Sequence, residues 1–204
     1  MPHDAHPPAD DDARVLARTQ AWLDRAVIGL NLCPFAKSVR VKDQIRFVIS
    51  PATTVEALRD TLQQELQTLA QADPQQLDTT LLVHPRVLHD FLDYNDFLDV
   101  ADQLLAGLGL EGVLQIASFH PDYQFAGTAA DDIDNFSNRS PYPTLHLIRE
   151  ASIDRAVAAF PEAERIYEAN IAALQHLGLA GWRALFADDP AAAHAAPPSQ
   201  DAAP

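Results

Sequence analysis

The sequence predicts a single α/β (or α+β) domain, with a small three- to four-stranded parallel or mixed sheet and helices packed on it. Two observations carry that expectation. Short runs rich in β-branched and apolar residues alternate with longer segments of helical periodicity, the pattern left by β-α-β units. The 204 residues are 48% hydrophobic, which is enough for one core.

In chain order, Asp12 opens the first helix as an N-cap. Val15, Leu16, Trp22, Leu23, Val27 and Leu30 then recur at helical spacing to residue 30. Ile45 to Ile49 is a β-rich run ended by Ser50-Pro51. Thr53 or Thr54 caps a helix to about residue 72, with Val55, Leu58, Leu62, Leu66 and Leu69 on one stripe. Thr79 to Val83 is the second strand, closed by His84-Pro85, and a helix fills most of 87–108 up to Gly107 and Gly109. Val113 to Phe119 is the third strand, closed by His120-Pro121. Residues 120–143 lose periodicity, and long loops in compact domains are functional or disordered. Thr144 to Arg149 reads as a fourth strand, with a helix start as the alternative. As a strand it sets Thr144, His146 and Ile148 on one face and Leu145, Leu147 and Arg149 on the other. Ser152 opens a helix to Phe160, and a last helix runs from Glu162 to about Leu177. Gly178 and Gly181 punctuate it before Trp182, Leu185 and Phe186 return to the core.

Composition sets the boundaries and narrows the partners. Residues 1–11 and 188–204 are rich in Ala, Pro and Asp and read as disordered acidic and Ala/Pro-rich tails around a single domain at 12–187. The net charge is −15, from 14 Lys+Arg against 29 Asp+Glu. Such a balance argues against nucleic acid and against an anionic membrane surface, since both require a cationic footprint. One cysteine, Cys33, rules out an intrachain disulfide and a multi-cysteine zinc site. No signal-peptide pattern and no apolar run long enough for a membrane span is visible, so the cytoplasm is the expected compartment.

Four blocks carry chemistry-bearing side chains. Cys33 lies in Gly29-Leu30-Asn31-Leu32-Cys33-Pro34-Phe35-Ala36-Lys37, ahead of a short turn and near basic residues that would lower a thiol pKa; the plainer reading is a small buried hydrophobe. Lys37, Arg40, Lys42 and Arg46 form either an anion-docking strip or a solvated face. The aspartates from Asp90 to Asp102 drift around a helix and are mostly solvated, although Asp93 would be placed to orient a histidine at a neighbouring strand end. The richest block runs from Ser118 to Phe125 and from Asn135 to Glu150. Here His120 stands at a strand exit, Asn138 and Arg139 offer donors for a carboxylate or phosphate, and Arg149 ends an apolar strand face that calls for an acidic partner. In open α/β sheets ligands gather beyond the carboxyl ends of strands, and two of the three ends here are His-Pro.

The blocks around Trp22 to Ala36, Phe91 to Leu98, Ser118 to Pro121 and Asn138 to Glu150 together resemble a bacterial family of uncharacterised proteins, domain of unknown function 1415, over roughly residues 13–180. The resemblance implies a small soluble bacterial protein. It draws attention to Cys33, Asn95, His120, Asn138, Arg139 and His146 without giving them roles. The expected function is a small hydrolase or acyl-transfer enzyme acting on a small anionic molecule. Cys33 and His120 would do the chemistry, and Asp93, Asn95, Asn138, Arg139 and Arg149 would bind the substrate. A second expectation is a divalent-metal enzyme using His120, His146 and Glu150. A third is a non-enzymatic ligand-binding or interaction domain.

Overall fold

The structure is a computed structural model that describes residues 11–159 and 165–189. The expectations for residues 1–10 and 190–204, and the helix boundary at 160–164, lie outside the described residues. The sheet has four strands: β1 (Ile45–Ile49), β2 (Thr79–Val83), β3 (Leu114–Phe119) and β4 (Thr144–Arg149), in the order β1-β2-β4-β3. β1 and β2 are parallel, and β4 runs antiparallel between β2 and β3, so the sheet is mixed. The carboxyl ends of β1, β2 and β3 therefore share one edge, which carries Ser50, His84 and His120.

Period-two alternation divides the strand residues between two faces. Leu82, Leu114, Leu145 and Leu147 pack on one face against α3 (Val55–Gln71) and α4 (Phe91–Gly107), through Leu58, Leu62, Leu66, Leu69, Tyr94 and Phe97. The other face carries Ile45, Leu81 and Phe119. These pack against α1 (Asp12–Trp22), its π-helical continuation Leu23–Ile28, and α6 (Ile166–Ala184), by way of Trp22, Phe136, Trp182 and Phe186. The sheet is thus the middle of three layers. α2 (Ala36–Val41) and α5 (Glu150–Ala159) flank the second face without closing over it.

Local chemistry sets the element ends. Asp11, Thr54 and Asp90 cap α1, α3 and α4 by accepting from Arg14, Ala57, and Leu92 with Asp93. The π-helical turn ends at Gly29, where an added Cβ would lie 2.2 Å from the Arg25 carbonyl oxygen; only glycine fits. Gly178, at φ 64°, kinks α6 and turns Trp182 and Phe186 onto the core. Asp188 and Asp189 fall within the expected tail, yet they carry ion pairs: Asp188 with Arg25, and Asp189 with Arg18 at 2.9 Å.

Candidate functional site

At the carboxyl edge of the strands, His84 and His120 are structural anchors. Both are fully buried and both contact Tyr94, at centroid distances of 5.7 and 5.0 Å. The Tyr94 hydroxyl donates to the Thr144 carbonyl at 2.9 Å and accepts from the Phe119 amide at 3.1 Å, joining α4 to two strands. His120 accepts from the Asp122 amide at Nδ1 (3.0 Å), which leaves Nε2–H to donate to the Leu88 carbonyl at 3.2 Å. His84 Nδ1–H donates to the Val87 carbonyl at 3.1 Å. Two strand-end histidines thus pin the turn in which Leu88 takes a φ of 58°, a conformation bulky residues rarely adopt. Burial lowers the pKa of both rings, that of His84 to about 4.

The cations expected to hold an anion are bound to carbonyls instead. Arg139 donates to the carbonyls of Tyr123 and Ala130 and lies 4.4 Å from the Phe136 ring, so it staples the 120–143 loop from within. Asn138 holds Ser118 of β3 at 3.2 Å. Asn135 is the loop's buried hub. It accepts from Phe125 and Thr128 and donates to Ala129. Arg149 was expected to need an acidic partner. It donates to the carbonyls of Leu69 and Ala72 at the end of α3, and of Leu77 beyond it, where the negative dipole end of the helix favours a cation. Asp93 and Asn95 are exposed on α4, on either side of buried Tyr94.

A cleft lies elsewhere. About 1010 Å³ in volume, it opens over the second sheet face, toward the amino ends of β1 and β2. Its floor is Ile45, Thr79, Leu81, Ala117, Phe119, His146 and Ile148. One wall is Cys33 to Ala36 with Trp22 behind it, and the other is Ser152, Ile153, Arg155 and Ala156 of α5. The uncovered strip between α2 and α5 makes the concavity, and the strand-end rule misses it because β4, running the other way, brings His146 into the middle of the sheet. Cys33 and His146 share this cleft, whereas His120 packs against α4 on the other side of the sheet. The structure does not bring Cys33 and His120 together.

His146 is positioned by a short relay. The Thr79 hydroxyl lies 2.6 Å from the Leu147 carbonyl, which can only accept, so the Thr79 proton goes there. The 2.7 Å contact between His146 Nε2 and Thr79 Oγ1 must then be N–H donating to oxygen. That fixes the tautomer and leaves a lone pair on Nδ1. Burial lowers the His146 pKa to about 4, so the ring is neutral at pH 7. On the rim, Ser152 donates to Asp78 at 2.6 Å and Arg155 to Ser152 at 2.9 Å, while Lys42 has no ion pair among the described residues. Of the other residues in the basic strip, Arg40 is paired with Asp24 and Arg46 with buried Glu65.

The metal expectation finds no support in this arrangement. Both His120 nitrogens and Nε2 of His146 are committed, and Glu150 opens α5, its amide bonded to Val113. Among the described residues, no group of three or more His, Cys, Asp or Glu is disposed to hold a metal ion. No helix among them is long and apolar enough to cross a membrane.

Fold and cleft define a single-domain α/β protein with a mixed four-stranded sheet and an open, aromatic-walled concavity on one face. The chain belongs to the family described as "Protein of unknown function (DUF1415)", whose model matches residues 14–184. No curated protein matches it, and no solved structure does.

Proposed function

We propose that the chain binds a small molecule in the cleft over the second sheet face. The observation that carries this reading is His146: a neutral imidazole held in one tautomer at the floor of an apolar concavity large enough for a metabolite. Trp22, Phe35 and Phe119 supply apolar surface, and Lys42 on the rim offers a place for an anionic end, which keeps a small anionic ligand in view. Arg139 and Arg149 do not enter this reading, because their guanidinium groups are spent on backbone carbonyls.

A second reading keeps the acyl-transfer or hydrolase chemistry. It is favoured by one observation: Cys33 and His146 line the same cleft. Cys33 would be the nucleophile and His146 would take the place given to His120. A base works best with a pKa near the operating pH, and one near 4 weakens His146 in that role; this favours binding over catalysis. Replacement of Cys33 by serine separates the two readings. Under the binding reading, the Cys33→Ser variant, which leaves the wall's size nearly unchanged, still takes up ligand to within a few-fold. Under the enzyme reading, Cys33→Ser abolishes turnover of activated esters and thioesters.

A further inference from the structure

We infer that the cleft selects a planar aromatic ligand that carries a neutral O–H or N–H donor, and that His146 Nδ1 is the acceptor that reads it. This deepens the binding reading above and rests on it. The polar atoms that are sealed from solvent and unpartnered among the described residues are Thr80 Oγ1, His84 Nε2 and Trp182 Nε1. His146 Nδ1 has no partner among the described residues either, but it is not sealed. Its ring borders the cleft, so the lone pair opens onto the space a ligand would fill.

The tautomer decides what that lone pair accepts. Nε2–H is held by Thr79, whose own proton is held by Leu147, so Nδ1 presents an acceptor and no donor. An anion at this point would face a lone pair on an apolar floor and gain nothing. A neutral hydroxyl or ring N–H would replace the water it loses on entry with one well-placed bond. The surroundings set the shape. Phe119 meets the His146 ring at 6.1 Å and the Trp22 ring edge-on at 5.2 Å, so the floor beside Nδ1 is aromatic and favours a flat partner. Of the charged groups that line the cleft, Lys42, Asp73 and Arg155 are exposed, and buried Asp78 is already engaged by the Ser152 hydroxyl and Arg155, so none competes for the floor.

The test uses the full-length 15N-labelled protein and three probes of one ring size: phenol, which donates; anisole, which does not; and benzoate, which is anionic. Binding is followed at pH 7 by amide shifts of cleft residues. Phenol is expected to bind at least tenfold more tightly than anisole or benzoate. In His146→Phe, which keeps a ring and removes the acceptor, that preference falls to about twofold. Thr79→Val releases the imidazole and is expected to weaken the preference as well. It serves as the second variant should His146→Phe fail to fold. Equal binding of phenol and anisole, or a preference for benzoate, overturns the donor inference and leaves the cleft reading standing. The absence of shifts in cleft residues with all three probes overturns both.

Discussion

Replacing Arg149 by methionine separates a structural cation from a ligand-binding one. In the structure Arg149 is buried and makes hydrogen bonds to the carbonyls of Leu69, Ala72 and Leu77, at 2.5, 2.8 and 3.2 Å from one terminal nitrogen, with a further bond from Nε to Leu77. Bonds from a charged donor contribute roughly 1.5–3 kcal/mol each. They share one guanidinium whose burial costs free energy, so the net loss is about 2–4 kcal/mol and not the sum. Methionine fills most of the stem volume, which keeps the cavity contribution small. Urea unfolding measures the change. With a slope of roughly 2 kcal/mol per molar, the midpoint should fall by about 1–2 M with the slope unchanged. Ligand binding at pH 7 should be retained. A variant within about 0.5 kcal/mol of the parent that has lost binding of an anionic ligand would refute the structural assignment.

Three further expectations follow from the same contacts. Tyr94→Phe strands the Phe119 amide and the Thr144 carbonyl inside the core and should lower stability by about 1–3 kcal/mol in a thermal melt, without altering cleft binding. Asp189→Asn should lower stability by about 1–2 kcal/mol, because it removes the carboxylate paired with buried Arg18 at 2.9 Å; a neutral effect would show that this pair does not hold residue 189 to the fold. The third concerns pH. His84 and His146 are held neutral with pKa values of about 4, below the unfolded value near 6.5, so the unfolded chain binds more protons in that interval. Stability is fully present above pH 6.5 and is lost as pH falls toward 4, on the order of 3 kcal/mol per histidine. His84→Asn should flatten the pH 6.5 to 4 limb of a denaturation series by that order, and an unchanged limb would contradict the burial argument.

The fold was legible because its signals are local. The leucine stripe of α3, the helix start at Thr53 or Thr54 and the β-rich runs each specify an element within a few residues, and the alternation in Thr144 to Arg149 placed His146 and Arg149 on opposite faces as found. What was not legible depended on register. Nothing near Thr79 in the chain says that its hydroxyl meets His146, 67 residues later. That contact exists because Leu81 pairs with His146 across an antiparallel ladder. The same holds for Arg149, whose residue type announced a buried cation but whose partners are the carbonyls at the end of α3, groups every helix has and no side chain marks. The strand-end histidines drew attention for sound reasons, and the packing uses them to hold a turn around Tyr94. The cleft was missed because a concavity records where helices fail to cover a sheet, and no single residue encodes that.

The most direct test of the His146 site is a long-range 1H–15N spectrum of the histidine rings at pH 7, with and without phenol. A neutral His146 ring with the proton on Nε2 and the lone-pair shift on Nδ1 is expected, and phenol should move the Nδ1 signal specifically. A ring protonated on Nδ1, or an Nδ1 signal indifferent to saturating phenol while other cleft residues respond, would contradict the assignment of His146 as the acceptor at the floor of the cleft.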